Sequence, residues 1–257
     1  MKFGSLVLDL VDGGRFRLDG REVFGEVPKA LWDKRFPADA RDRVLLASHG
    51  LLVRGAGFTA LVGAGESVVA GLTERGVCAE EVDTLVLSSL RPRHAAGAVR
   101  REGGRAVSTF PNATLYVQAA GLLPGSSPRE IWEPYAEAGR LAAIEGAHEI
   151  GAGLSVLPLP GHDRGTQAVR LHWGGKTAFS FAGVLPTAAH VPIGWIPAHD
   201  VYPVELIETK KRLIEQAVRE GWLCVFEHDP DVPWGVIVDE TNGKRRVHVV
   251  ALDRAEF

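Results

Sequence analysis

Thr84-Leu85-Val86-Leu87-Ser88-Ser89-Leu90-Arg91-Pro92-Arg93-His94 is the stretch on which the reading of this chain turns. Its first five residues form a short apolar run of the kind a buried strand supplies. Two serines, two arginines around a proline and one histidine follow, and Ala95-Ala96-Gly97 closes the segment. Polar residues just past a strand end are where a rigid scaffold offers side chains for chemistry. Two further histidines sit in the same context. His162 lies in Pro160-Gly161-His162-Asp163-Arg164-Gly165, and His228 in Phe226-Glu227-His228-Asp229-Pro230.

Outward from that stretch the pattern is mixed. Ser5–Val11 reads as a strand running into Asp12-Gly13-Gly14, a hairpin signal, before Arg15–Leu18. Val44–Ala47, Leu51–Val53 and Thr59–Val62 are strand candidates separated by glycine-bearing turns, and Ser67–Arg75 reads as a helix. Thr114–Gln118 and Leu154–Leu157 are strands. Gly174-Gly175 joins Gln167–Trp173 to Thr177–Phe181 as a hairpin. Ser127-Pro128 opens a helix running to Ala136. The clearest helix is Pro203–Glu220, with Leu206, Ile207, Leu213, Ile214, Ala217 and Val218 on one face and Gly221 as its stop. Leu223–Phe226, Gly235–Val238 and Val247–Leu252 close the chain as strands.

The 257 residues are 46% hydrophobic and 24% charged with a net charge of −3, which excludes a disordered chain. The same balance argues against nucleic acid as a partner, since phosphate binding needs a basic face. The apolar runs are too short for a membrane span. Met1-Lys2-Phe3-Gly4 lacks a secretory pattern, and Cys78 and Cys224 are too few for a disulfide framework, so a cytoplasmic protein is the expectation. With no repeat and no linker-like shift in composition, one domain over 1–257 is the simplest organisation.

Taken in order, several weak pieces resemble the metallo-β-lactamase superfamily, in particular its branch of acyl-homoserine lactonases and methyl-parathion-hydrolase-like proteins. They are Leu18-Asp19-Gly20 with Val23-Phe24-Gly25, Leu61-Val62-Gly63-Ala64-Gly65, Thr84–Ser88, Phe110-Pro111-Asn112-Ala113, Gly161-His162, Leu185-Pro186-Thr187 and Glu227-His228-Asp229-Pro230. The resemblance implies an αββα sandwich, two mixed sheets face to face with helices outside. It also implies hydrolysis of esters, lactones or phosphotriesters at two divalent metals.

The family's ligand signature, H-x-H-x-D-H, falls on Ser89-Leu90-Arg91-Pro92-Arg93-His94, where only the last histidine survives. By the same resemblance His162 is a ligand of the first metal and His228 of the second. The bridging aspartate is replaced by Gly183 and a supporting aspartate by Gly63. Arginine stays protonated and cannot ligate a metal. The expectation is therefore an eroded dinuclear site without two-metal hydrolysis and without a cofactor. Ser89, Arg91, Arg93, His94, His162, Gly183 and His228 would line the old cleft, and no catalytic residue is assigned. Two arginines in place of carboxylates predict a positive cleft that takes a small anionic or polar ligand.

Three alternatives stay open: a hydrolase with one zinc ion on His94, His162 and His228, a serine route through Ser89, and a structural or partner-binding protein. Trp32, Phe36, Phe24 and Trp195 read as loop anchors, or as residues lining the cleft or a dimer contact. A homodimer is expected from the related enzymes.

Overall fold

The computed structural model describes residues 1–55, 57–240, 244–250 and 257. The first sheet contains β1 (Lys2–Phe3), β2 (Leu6–Asp19), β3 (Arg43–Gly55), β4 (Phe58–Val62) and β5 (Thr84–Val86). A separate hairpin, β6 (Val99–Glu102) and β7 (Arg105–Ser108), precedes the last two strands of that sheet, β8 (Thr114–Gln118) and β9 (Leu141–Ile144). The second sheet runs β10 (His148–Gly151), β11 (Leu154–Pro158), β12 (Gln167–Trp173), β13 (Lys176–Ser180), β14 (Leu223–Val225), β15 (Trp234–Asp239) and β16 (Arg245–Val249). Each is seven-stranded in chain order and mixed: β4, β5, β8 and β9 pair in parallel in the first, β13 and β14 in the second.

The apolar alternation of the strands explains the layering. Leu8, Leu10, Leu51, Val53 and Val62 of the first sheet meet Leu154, Val156, Val169, Leu171 and Val225 of the second in one core. Among the described residues the α-helices are α1 (Gly20–Phe24), α2 (Lys29–Trp32), α3 (Val68–Glu74), α4 (Pro92–Ala95), α5 (Arg129–Glu137) and α6 (Pro203–Glu220). Val68 and Leu72 of α3, with Ile131 and Tyr135 of α5, cover the outer face of the first sheet. Leu206, Leu213, Ile214 and Ala217 of α6 cover the outer face of the second. The expected αββα sandwich is the architecture observed. No helix among the described residues is long and apolar enough to cross a membrane.

Three local readings change. Asp12-Gly13-Gly14 is a bulge inside the continuous strand β2, with the register against β3 shifting between Asp12 and Arg15. The Asp12 carboxylate takes the Gly14 amide at 2.8 Å, and the Gly13 carbonyl takes the Ser67 amide at 3.0 Å, so the bulge is anchored to the start of α3. Likewise 44–47 and 51–53 are parts of one strand, β3, because its long ladder to β2 carries it through Ser48-His49-Gly50. Val23-Phe24 is the end of α1, whose Arg21 amide is taken by the Asp19 side chain. Ile207 faces outward from α6. Ala251 and Leu252, at the end of the last expected strand, lie outside the described residues.

Phe24, Trp32 and Phe36 are loop anchors of a definite kind. With Val23, Val44 and Leu46 they form a small separate core under α1 and α2. Phe24 stacks on Trp32 at 5.3 Å and on the His190 ring at 5.0 Å. His190 Nε2 donates to the Val23 carbonyl at 2.9 Å, and Nδ1 takes the Thr187 hydroxyl at 2.7 Å. Burial, helped by the nearby Lys210 charge, pushes His190 down to about 3.

Two predictions follow from the packing. Gly71 of α3 has no room for a Cβ, which would run into the Asp12 carbonyl and, at 2.8 Å, into Val11 Cγ1. Alanine gains about 1 kcal/mol of helix propensity over glycine, but overpacking costs about 1–3 kcal/mol. Gly71→Ala is therefore expected to lower the urea midpoint of unfolding, and a raised midpoint contradicts the packing. His190 stays neutral when folded and takes up a proton on unfolding below its ordinary value of 6.5. Its contribution is complete above pH 6.5 and is lost as pH falls toward 3, by up to about 1.4 kcal/mol per pH unit. His190→Gln should make the stability profile shallower by close to one proton between pH 6 and 4.

Candidate functional site

Four segments meet where the two sheets end. The first, 87–91, leaves β5 and enters α4, with Pro92 at its first position and His94 within it. The second is the 159–166 turn between β11 and β12, which carries His162. A third follows β13, where Ala182 adopts a left-handed φ of 50° just before Gly183. The fourth, after β14, carries Glu227 and His228. It is held to β3 by the Ala47 amide on the His228 carbonyl at 3.2 Å and by the His49 amide on the Glu227 carbonyl at 2.8 Å.

Glu227 is the buried centre of this junction. Its Oε2 accepts the Ser88 hydroxyl at 2.9 Å and lies 3.1 Å from His94 Nδ1, while Oε1 accepts Ser180 at 2.6 Å. Burial would raise this carboxyl, but the hydrogen bond from His94 and the charge on that ring outweigh it and hold it below the carboxylate range. His228 Nδ1 donates to the Ala47 carbonyl at 2.8 Å, and burial together with the His94 charge keeps the ring neutral. Its Nε2 lone pair then faces His94 Nε2 at 3.3 Å. The bonding is satisfied when His94 donates from both nitrogens, one to Glu227 and one to His228.

His162 stands 6.0 Å from the His94 ring and is fixed differently. Its Nδ1 is 2.6 Å from Asp200 Oδ1. Burial raises Asp200, with His162 opposing. His199 packs edge-on to His162 at 5.4 Å, and burial, joined by the charges on His162, Arg91 and Arg93, pushes it down to about 3.

A cavity of about 310 Å³ opens over these residues. Arg91, Arg93, His94, His162, Gly183 and His228 line it together, with His199, Glu22 and an apolar wall that includes Phe16, Leu18, Val23 and Leu46. Trp32, Phe36, Phe24 and Trp195 do not. Ser89 is the one expected residue turned elsewhere: it is buried, and its hydroxyl donates to Asp163 Oδ2 at 2.9 Å. No histidine activates it, and the neighbouring Ser88 is committed to Glu227, so the serine route is not assembled. Buried Cys224 is no nucleophile either, since burial pushes its thiol up to about 12.

The arginines also differ from expectation. Arg91 Nε lies 3.3 Å from Asp163, and Arg93 NH2 lies 2.9 Å from Glu22. Burial would raise Asp163, but hydrogen bonds from Thr166 and Ser89 and the charges of His162 and Arg91 keep it low. Each guanidinium thus has its own carboxylate, and the excess of positive charge predicted for the cleft is cancelled where it arises. Asp163 and Glu227 stood in the quoted motifs beside the histidines, but without an assigned role. His199, Asp200 and Glu22 were missed, because they come from loops remote in sequence whose convergence no local pattern reports.

The residues do not fit a dinuclear centre. A Cβ on Gly183 would fall 2.5–2.7 Å from three atoms of the His162 ring, so the ring lies where a bridging carboxylate would leave the backbone. Arg91 and Arg93, which cannot ligate a metal, and Ser89, bonded to Asp163, stand nearby. Nor do His94, His162 and His228 form a group whose possible ligand atoms all lie within 4.8 Å of one another. Among the described residues, the group whose possible ligand atoms all lie within 4.8 Å of one another is His162, His199 and Asp200.

No family model matches the sequence, and no curated protein shows significant similarity to it. Solved structures do. A probable metal-dependent hydrolase from Staphylococcus aureus has a TM-score of 0.86 at 23% identity, covering 98% of this chain and 100% of its own. The hydrolase AbOPH of the β-lactamase superfamily has a TM-score of 0.84 at 20% identity, over 98% and 96%. AidC, a dizinc quorum-quenching lactonase in complex with a product, has a TM-score of 0.80 at 16% identity, over 98% and 96%. The chain has the metallo-β-lactamase fold, and lactonases are among the structures that share it.

The contact at Gly183 yields a direct test. Gly183→Ala should cost about 1–3 kcal/mol through overpacking, because the Asp200 bond holds the His162 ring in place. A variant as stable as the parent would mean that the ring moves away freely.

Proposed function

We propose that this chain is a metallo-β-lactamase-fold protein that binds a small ligand in its cleft and does not carry out two-metal hydrolysis. The observation that carries the reading is the His162 ring packed over Gly183, in the space a bridging carboxylate would need. Two-metal hydrolysis depends on two cations held about 3.5–4 Å apart around the attacking oxygen, and the donors that would hold them are gone. The ligand that suits the cleft has an apolar body and a polar head. Phe16, Leu18, Val23 and Leu46 supply an apolar wall. The polar side offers histidine nitrogens and two guanidinium groups already paired with Asp163 and Glu22. An acyl chain with a carbonyl or carboxylate at its end matches that division. Because the arginines are paired, the head need not be an anion.

The test has two arms. Protein purified without chelators is analysed for metal and assayed with lactones and phosphotriesters, with one or no ion per chain and no turnover above buffer expected. N-hexanoyl-L-homoserine, a lactonase product with a chain and a carboxylate, is added as a binding probe. A rise in melting temperature that Leu46→Arg abolishes is expected. Two ions per chain with turnover would sink the reading, and no shift with any acyl probe would remove its ligand.

A further inference from the structure

Buried polar atoms without partners are few in a folded protein, and each asks for an unseen water or ion. In this chain three such atoms belong to three neighbouring side chains: His162 Nε2, His199 Nδ1 and Asp200 Oδ2. The His162 side chain is 3% exposed and the Asp200 side chain 0%, so solvent does not satisfy these two, while His199 is part-exposed with its Nδ1 3.8 Å from Glu22. A buried polar atom left unsatisfied costs about 1–3 kcal/mol, which makes the clustering expensive unless something binds there.

From this cluster we infer a binding site for one divalent transition-metal ion of the zinc class, formed by His162, His199 and Asp200. Two imidazoles and a carboxylate are a zinc donor set, which leaves a fourth position for water or a ligand. The atoms they can offer already lie within 4.8 Å of one another. Tetrahedral bonds of 2.0–2.1 Å require about 3.3 Å between donors, so binding needs a contraction of at most about 1.5 Å. The ion takes His162 Nδ1, now 2.6 Å from Asp200 Oδ1, and the proton that bridges the pair leaves to solvent, so the orphaned atoms that it satisfies are His199 Nδ1 and Asp200 Oδ2.

The surrounding charge permits a cation. Arg91 and Arg93 are paired with Asp163 and Glu22, and Asp200 and Glu227 add two carboxylates without a guanidinium. Lys210 holds the carbonyls of Pro192 and Trp195 at 2.9 and 2.5 Å, tying down the loop that leads to His199. Burial pushes this lysine down to about 7, which weakens its opposition. Of the inherited histidines, only His162 takes part. His94 and His228 bond to each other and to Glu227 and Ala47 instead.

This inference rests on the reading above in one respect, the loss of the dinuclear centre, and the experiment separates the two. The full chain, stripped with chelator, is titrated with Zn²⁺ by calorimetry and with Co²⁺ by visible absorption. One ion per chain is expected, with the d–d bands of a low-coordinate cobalt site and a raised melting temperature. His199→Ala and Asp200→Asn should each weaken binding at least about tenfold, while His94→Ala and His228→Ala leave it nearly unchanged. His199 is part-exposed and Asn matches Asp in shape, so these variants should fold, and circular dichroism checks that they do. No ion, or one ion that ignores His199→Ala, overturns the inference and leaves the function reading standing. Two ions lost together in His94→Ala and His228→Ala overturn both.

Discussion

A single buried carboxylate ties the two halves of this sandwich together at the site. Glu227 follows a strand of the second sheet, yet it holds Ser88 and His94, which follow a strand of the first, as well as Ser180 of the second. Its backbone carbonyl also takes the His49 amide of β3. A buried charge is costly unless every lone pair is used, and a half-satisfied network is worse than none. Here both oxygens are engaged, so the positions of His94, His228 and the loop between them follow from one requirement. His94 and His228, on the floor of the cleft, are arranged around that network.

The histidines that line the cleft each need a partner for their ring nitrogens. Glu227 supplies one for His94, the Ala47 carbonyl one for His228, and Asp200 one for His162. Arg91 and Arg93 would repel each other in a closed site, but each is paired with its own carboxylate, Asp163 and Glu22. The cleft remains open because its apolar wall belongs to a separate small core under α1 and α2, built on stacked aromatic rings rather than on metal coordination.

The fold was largely legible from the sequence because its signals are local. The Gly174-Gly175 hairpin and the 203–220 helix, with proline at its start and glycine at its end, each follow from periodicity and turn chemistry. Asp12-Gly13-Gly14 misled for the same reason: it has the composition of a turn, and only pairing with β3 over its whole length makes it a bulge. The site was legible in part. His94, His162, His228 and Gly183 sit at strand ends in a recognisable order, and they line one cavity. The partners that decide their chemistry were not, since Glu22 and Asp200 reach the site only through the three-dimensional path of their loops. A count of charges along the sequence could not show that each arginine arrives with its own anion.

The contact between His162 and Gly183 also limits which substitutions the cleft accepts. The imidazole rests on the bare backbone of Gly183, and Asp200 holds it there. Adding a carboxylate at 183 first meets a steric penalty, whereas moving the histidine first breaks a buried hydrogen bond for no gain. Descendants of this chain are thus more readily pushed toward uses of the cleft that leave the imidazole where it is. In a packed interior, a vacancy filled by a neighbour acts as a ratchet.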